Sequence, residues 1–317
     1  MYRIGIDIGG TNTVVGIVDD SNNILSSISF RTGAPRSAQS LCDEIDKTAR
    51  KAAAAAGIRY EEIDAVGAAC PGAIADGICV FANNLAFENE PLAAILSKTM
   101  GKPAILCNDA NAAAFGEHTA GCGKGRSSLV MLTIGTGIGG GIVLDNRLYT
   151  GCGGLGGEMG HFIVAVDGKP CSCGSRGCIE TYCSATALIE STRVAMRQSP
   201  DSLLWQEAPS PDKVNGRTAF RAAEKGDAAA QAVLERFFDF LAVGVYNIIV
   251  LFQPQVVCIG GGMSREGDRL LEPVRKRISE NRLGAIIGSK TEILAARLYG
   301  DAGLIGAAAL AAQRFLK

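Results

Sequence analysis

Twice in this chain a glycine-rich turn joins two strand-like segments, once in each half, and any fold for the chain must contain both hairpins. In the first half, "YRIGIDIG" and "TVVGIVDD" flank the turn within "DIGGTNT" (residues 7–13). In the second, "SSLVMLTIG" and "GIGGGIVLD" flank the turn within "TIGTGIGGG" (residues 133–141), and "NRLY" extends it. After each hairpin the period changes from that of strands to an alternation of strands and helices. The first half continues with the strand "NILSSISF", a helix near residues 37–56, the strand "DAVGAAC" and a loop "PGAIADGICVFANN". A helix near residues 91–100 follows, then a strand "PAILC" that runs into a helix opening at "NDANAAAFGEH". The second half has a long helix near residues 227–252, the strand "QVVCIGGG", a helix near 266–280, the strand "TEILAA" and a closing helix from Asp301. A meander followed by alternating units, repeated, predicts a duplicated α/β architecture with a cleft between its halves. Ser, Pro and charge mark "RQSPDSLLWQEAPSPDK" as a disordered segment or exposed loop.

The glycine turns suit phosphate. Gly9 and Gly10 let backbone N–H groups approach an anion, Thr11 and Thr13 add hydroxyls, and Asp7 at a strand end can face a metal ion bound to phosphates. Gly135, Gly137 and Gly140 spell G-x-G-x-x-G, but a strand follows rather than a helix, which excludes a dinucleotide fold. No G-x-x-x-x-G-K-[ST] occurs, which excludes a P-loop. That leaves a second phosphate turn with Thr136 at its tip. A third glycine loop, "CIGGGMS" (residues 258–264), lies between a strand and a helix and offers a flat surface to a purine or ribose. Each loop alone is also an ordinary tight turn. Together they resemble the arrangement of the actin-like ATPase and sugar-kinase architecture, which implies ATP in an interdomain cleft.

In "LCNDANAAAFGE", Asn108 and Asp109 fall where a strand gives way to a helix. An Asp there is commonly an N-cap, worth about 1 kcal/mol. The same place suits a general base, because ligands bind at strand ends of α/β domains and a helix N-terminus favours the ionised carboxylate.

The segment "GHFIVAVDGKPCSCGSRGCIET" (residues 160–181) contains His161, Cys171, Cys173 and Cys178. Zinc accepts a Cys3His set in a tetrahedron, and Gly174 and Gly177 let the ligands converge. A redox pair would read C-x-x-C, which is absent here. The remaining cysteines of the chain's 11 sit singly in apolar contexts and read as reduced core residues. Cys183 reads as packing, and His118, the other histidine, as a surface residue. Glu158 and Glu180 flank the cluster, where a metal-locked loop would fix them to accept hydrogen bonds from polyol hydroxyls.

Bulk properties narrow the class. With 317 residues, 47% apolar and 20% charged, the chain can bury two ordinary cores. A net charge of −1 gives no bulk attraction to nucleic acid or an anionic membrane. The longest apolar run, "FFDFLAVGVYNIIVLF", carries Asp239 and is short for a membrane span, and no leader pattern opens the chain. The expectation is a cytoplasmic protein without nucleic-acid or membrane partners.

In order, "DIGGTNT", Pro71–Gly72, "NNL" at residues 83–85, "NDANAAAFGE", "GTGIGGGI", "GEMGH", "CSCGSRGCIE" and "GGG" resemble the ROK sugar kinases of bacterial glucokinase type over essentially the whole chain. The resemblance implies a two-domain actin-like (ribonuclease H-like) α/β fold with an interdomain active-site cleft. It sets a smaller domain at residues 1–112 plus 301–317 and a larger one at 113–300. It implies ATP-dependent phosphorylation of a hexose on its 6-hydroxyl, with Mg2+ and a structural Zn2+, in a homo-oligomer (dimer or tetramer). Carried over by motif, Asp109 is the base, and Asn84, Asn108, Asp109, Glu158, His161 and Glu180 contact the sugar. Asp7, Gly9, Gly10, Thr11, Gly135, Thr136 and Gly137 serve the phosphates, and Gly261 and Gly262 flank the adenosine. His161, Cys171, Cys173 and Cys178 hold zinc. Many members read Pro-Asn-Leu with a Trp soon after, where this chain has Asn83 and Phe87. That departure falls on the sugar loop, so glucose is the expected substrate with fructose, mannose, allose and N-acetylmannosamine as alternatives. The family also holds sugar-responsive transcriptional repressors with a DNA-binding helix-turn-helix before the first glycine loop. Here that loop opens at Asp7, which points to the kinase class.

Overall fold

The computed structural model describes residues 1–316. By packing the chain forms two units, Met1–Leu129 with Gly141–Gly157 and Arg297–Lys317, and Val130–Gly140 with Glu158–Ala296.

The first unit opens with the expected meander, β1 (Tyr2–Ile8), β2 (Asn12–Val18) and β3 (Ile24–Arg31), followed by α1 (Ala38–Ala55) and β4 (Ile63–Cys70). A small excursion, β5 (Ala73–Ala75), β6 (Ile78–Ala82) and β7 (Phe87–Glu90), leads to α2 (Leu92–Met100), β8 (Ala104–Asn108) and α3 (Asp109–Thr119). The main sheet has order β3-β2-β1-β4-β8, antiparallel among the first three strands and parallel from β1 through β4 to β8.

Both faces of this sheet are covered, which is why β1 is buried almost continuously instead of alternating. Ile4, Ile6 and Ile8 share a core with Leu41 and Ile45 of α1, each worth about 1.5–3 kcal/mol when buried. The opposite face meets the closing helix α11 (Ala302–Phe315). That helix lies close because the sheet offers glycine: a Cβ on Gly67 would overlap the Ala307 carbonyl. It packs equally closely on α3, where a Cβ on Gly306 would overlap the Ala112 carbonyl. Close packing on α11 holds α3 whole within the first unit, whereas the sequence-based division ran through it at residue 112.

The second sheet repeats the plan. Its strands β9 (Leu129–Ile134), β10 (Ile138–Leu144), β11 (Arg147–Tyr149), β12 (Val256–Gly260) and β13 (Glu292–Ala295) have order β11-β10-β9-β12-β13. This is the first sheet's order again, a meander and then parallel neighbours, as the duplicated pattern predicted. Helices α4 (Glu180–Cys183), α5 (Ala185–Gln198), α6 (Leu204–Glu207), α7 (Thr218–Glu224), α8 (Ala228–Phe252), α9 (Asp268–Glu280) and α10 (Arg282–Gly288) complete the second unit. The long helix α8 is capped by Asp227, which accepts from the Ala230 amide at 2.7 Å. No helix among the described residues is long and apolar enough to cross a membrane.

Three readings of the sequence are corrected. The stretch "PGAIADGICVFANN" is not a loop: β5, β6 and β7 form a three-stranded antiparallel sheet. The "RQSPDSLLWQEAPSPDK" stretch is ordered by its apolar residues: Leu204 and Ala208 are buried, and the Trp205 indole donates to the Met196 and Ser199 carbonyls. His118 is buried on α3, not on the surface, with Nε2 at 3.2 Å from Asn146 Oδ1. Cys183 is buried, as its helical context suggested.

Candidate active site

In the first unit the loop between β1 and β2 closes with the Gly9 amide donating to the Asn12 carbonyl at 2.9 Å. Thr32 braces it from β3's end, its hydroxyl donating to the Gly9 carbonyl at 2.6 Å and meeting Thr13 Oγ1 at 2.9 Å. Thr13 is fully buried in that bracing, so of the two threonine hydroxyls only exposed Thr11 is open to a ligand. Asn84, in the turn between β6 and β7, lies against this loop: a Cβ on Gly10 would stand 3.0 Å from Asn84 Cβ.

Asp7 ends β1 on the face that meets α11, where Gly303 leaves it room; a Cβ there would come 2.9 Å from Asp7 Oδ2. Its pKa is pushed up to about 6, first by burial and then by the charge of Asp109. Two carboxylates near enough to repel suit a cation between or beside them. Mg2+ takes one or two carboxylates plus phosphate oxygens, a donor set that Asp7 and a nucleotide would supply.

The strand–helix junction separates two jobs that the sequence left merged. Asn108 is the cap: its Oδ1 accepts from the Ala110 and Asn111 amides at 2.9 and 3.2 Å, and its Nδ2 donates to the Gly72 carbonyl at 3.0 Å. The Asn108 side chain also bonds to the Asp109 carboxylate. Asp109, the first residue of α3, is therefore not the capping residue. Its Oδ1 accepts from the Ala110 amide at 2.8 Å, an N–H it shares with Asn108 Oδ1. Solvent reaches Asp109, yet protein atoms crowd it at longer range, and that crowding raises its pKa against the lowering effect of its hydrogen bonds. A residue that the sequence did not single out stands nearby in the same helix. Buried Asn111 has a side-chain oxygen with no partner among the described residues, which costs about 1–3 kcal/mol unless water or a ligand fills it.

In the second unit, the turn between β9 and β10 closes with the Gly135 amide donating to the Gly137 carbonyl at 2.9 Å. Thr136 is exposed at its tip. Glu180, the first residue of α4, reaches this turn and accepts from the Ile138 amide through Oε2 at 2.8 Å. It lies so close that a Cβ on Gly137 would overlap it. One carboxylate oxygen, Oε1, is left for other partners. Glu158 precedes the helical turn Met159–His161, whose His161 amide donates back to the Glu158 carbonyl at 3.0 Å. Gly160 lets that turn approach β10, since a Cβ there would overlap the Ile138 carbonyl.

His161, Cys171, Cys173 and Cys178 converge, with donor atoms all within 4.8 Å of one another. His161 Nδ1 is 3.7 Å from Cys171 Sγ, and Cys173 Sγ is 3.6 Å from Cys178 Sγ. A tetrahedron with metal–sulfur bonds of about 2.3 Å has edges of about 3.8 Å, so the four groups fit Zn2+. The Ser175 amide pulls the Cys173 thiol down to about 7, which favours a thiolate ligand, whereas burial pushes Cys178 up to about 12. Nδ1 is the nitrogen turned to the sulfurs, leaving Nε2 for a second partner.

Of the third loop, Gly261 (φ 75°) approaches the end of β9 too closely for a Cβ, which meets the Ile134 carbonyl. Gly262 has open space around it, as a ligand surface requires.

Residues 3–314 match the sequence model of the ROK family. A glucokinase from Thermotoga maritima is 38% identical over 314 residues, 98% of this chain and 97% of that protein. Among solved structures, a ROK family glucokinase from Streptomyces griseus in complex with glucose and AMPPNP is 36% identical with a TM-score of 0.78, covering 99% of this chain and 100% of that one. A ROK hexokinase from Thermus thermophilus is 31% identical with a TM-score of 0.82, covering 99% of both chains.

Proposed function

Because the chain belongs to the ROK family, we propose that it is an ATP-dependent hexose kinase that phosphorylates glucose on its 6-hydroxyl, with Asp109 as the general base. The state of Asp109 carries this reading. The carboxylate leaves the cap of α3 to Asn108, is exposed to solvent, and has a pKa raised from the ordinary aspartate value. Such a group holds a proton more tightly than a free aspartate, which suits a proton acceptor. In the reaction, the 6-hydroxyl oxygen bonds to the γ-phosphorus while its proton passes to Asp109. The bond from that phosphorus to the bridging oxygen of ADP breaks. Most of the remaining catalysis is positioning and charge neutralisation.

Asn84, Asn108, Glu158, His161 and Glu180 take the sugar hydroxyls, with Nε2 the sugar-facing nitrogen of His161. Gly9, Gly10, Thr11, Gly135, Thr136 and Gly137 take the phosphates, and Gly261 and Gly262 lie along the adenosine. Asp7 would hold Mg2+, which neutralises phosphate charge when bound. His161 Nδ1, Cys171, Cys173 and Cys178 would hold a structural zinc, since four protein ligands leave no open position. The working form is a homo-oligomer, a dimer or tetramer.

A coupled assay of ADP release with MgATP over a hexose panel tests the reading. Glucose is expected to have the highest kcat/KM, above mannose, fructose, allose and N-acetylmannosamine. Glucose lacking the 6-hydroxyl is expected to bind without consuming ATP. A higher kcat/KM for another hexose would replace glucose, and phosphate on another carbon would end the 6-hydroxyl assignment. Sugar binding with no ATP consumption for any hexose would favour a sugar-responsive regulator.

Glu158→Gln is expected to raise the sugar KM about 10-fold or more, the scale of a lost charged hydrogen bond, and leave the ATP KM within about two-fold. Parallel losses for both substrates would remove Glu158 from the sugar site.

A further inference from the structure

The hairpin turn of residues 135–138 is gripped by α4 and the start of α5, of which only Glu180 has so far had a role. Three hydrogen bonds run between them. The Glu180 carboxylate accepts from the Ile138 amide at 2.8 Å, the Ala185 amide donates to the Gly135 carbonyl at 2.8 Å, and the Thr186 hydroxyl donates to the Thr136 carbonyl at 2.7 Å. Ser184 fixes the donor end by capping α5, its hydroxyl accepting from the Ala187 amide at 3.1 Å.

The consequence follows from the planarity of the peptide bond. In a trans peptide the carbonyl of one residue and the amide of the next point in opposite directions. Holding the Gly135 carbonyl toward Ala185 therefore aims the Thr136 amide away from α5. Holding the Thr136 carbonyl toward Thr186 aims the Gly137 amide away as well. Neither amide has a protein acceptor among the described residues. Two successive amides directed outward from one turn make an anion-binding concavity. The turn could not hold this arrangement alone, because Gly135 and Gly137 on either side of Thr136 place little restriction on peptide rotation.

We propose that Thr186 is a positioning residue for the nucleotide: its hydroxyl locks the Thr136–Gly137 peptide so that the Gly137 amide faces the ATP phosphates. The inference rests on the kinase reading above. Thr186 touches neither substrate nor metal in this proposal, and it is exposed at the start of α5, where a side chain of similar shape is tolerated.

Thr186→Val keeps the shape and removes the donor, while Thr186→Ser keeps the donor. Three readouts separate positioning from a general structural role. First, Thr186→Val is expected to raise the KM for MgATP about 3- to 10-fold, the scale of one hydrogen bond, with kcat and the sugar KM within about two-fold. Second, titration calorimetry with the non-hydrolysable analogue AMPPNP and Mg2+ is expected to show the same loss without turnover. Third, amide hydrogen exchange is expected to quicken at Ile138 and Ala185, whose amides are bonded in this grip, in Thr186→Val and return to the wild-type rate in Thr186→Ser. An unchanged AMPPNP affinity, an equal rise in both substrate constants, or no rescue by Ser would overturn the proposal. Failure of the wild-type protein to phosphorylate any hexose would instead overturn the kinase reading, and the calorimetric and exchange results would still stand for or against Thr186.

Discussion

Asp109→Asn is expected to lower kcat at least ~100-fold while leaving the KM for sugar and for ATP within a few-fold, the usual signature of a lost general base. The substitution is close to isosteric, and the Asn oxygen can still accept from the Ala110 amide as Asp109 Oδ1 does. It does not touch the cap of α3, which Asn108 supplies, so the helix start is expected to survive. What it removes is the capacity to take a proton. The wild-type pH profile provides a second check with a defined sign. A base must be ionised to act, so kcat is expected to fall as pH falls through the Asp109 pKa, which lies above the ordinary aspartate value. Turnover of Asp109→Asn within a few-fold of wild type would take Asp109 out of the base role. A thermal midpoint that fell along with turnover would trace the loss to folding instead.

Loss of zinc is expected to damage the sugar constant more than any single carboxylate substitution does. Purified protein should contain one zinc per chain, and chelation or Cys171→Ser should raise the sugar KM on the order of 10- to 100-fold. The reason is the poverty of other structure in the loop. No helix or strand lies between the turn Met159–His161 and α4, and the segment is tied by turn hydrogen bonds, two isolated bridges, Ile163 with Cys178 and Pro170 with Arg176, and the Lys169 amide's bond to the Tyr182 hydroxyl at 2.7 Å. A segment so lightly bonded would depend on a bound metal for its shape. His161 belongs to the cluster, Glu158 starts the turn that carries it, and Glu180 follows Cys178 directly. The ATP KM is expected to rise as well, though less, because Glu180 also holds the Ile138 amide. Elemental analysis decides whether the metal is there, and a stripped protein with a normal sugar KM would show that the cluster does not organise the sugar residues.

Much of this protein was legible before any coordinates. The two hairpins, the repeated meander and alternation, and the long helix with Asp227 at its cap are all local patterns, decided by residues a few positions apart. The convergence of His161 and three cysteines was equally legible, because all four lie within one short segment. One local signal went unused: Asp76–Gly77, both at positive φ, is a strong hairpin marker, and it announced the sheet of β5, β6 and β7.

Other features are not local, and only the folded chain decides them. His118 is buried with its ring against Asn146, 28 residues further on, and nothing within α3 reports that contact. Asn108 and Asp109 are neighbours with similar propensities for a cap, and the geometry of the strand end assigned the cap to one and released the other. Glu180 reads as a carboxylate beside a metal loop, yet it grips a turn 42 residues earlier, and the Thr186 hydroxyl reaches across 50 residues to the same turn. Sequence patterns record which side chains prefer a helix, a strand or a metal. They do not record which peptide planes two distant segments will lock together, because those hydrogen bonds exist only once packing has brought the segments within reach.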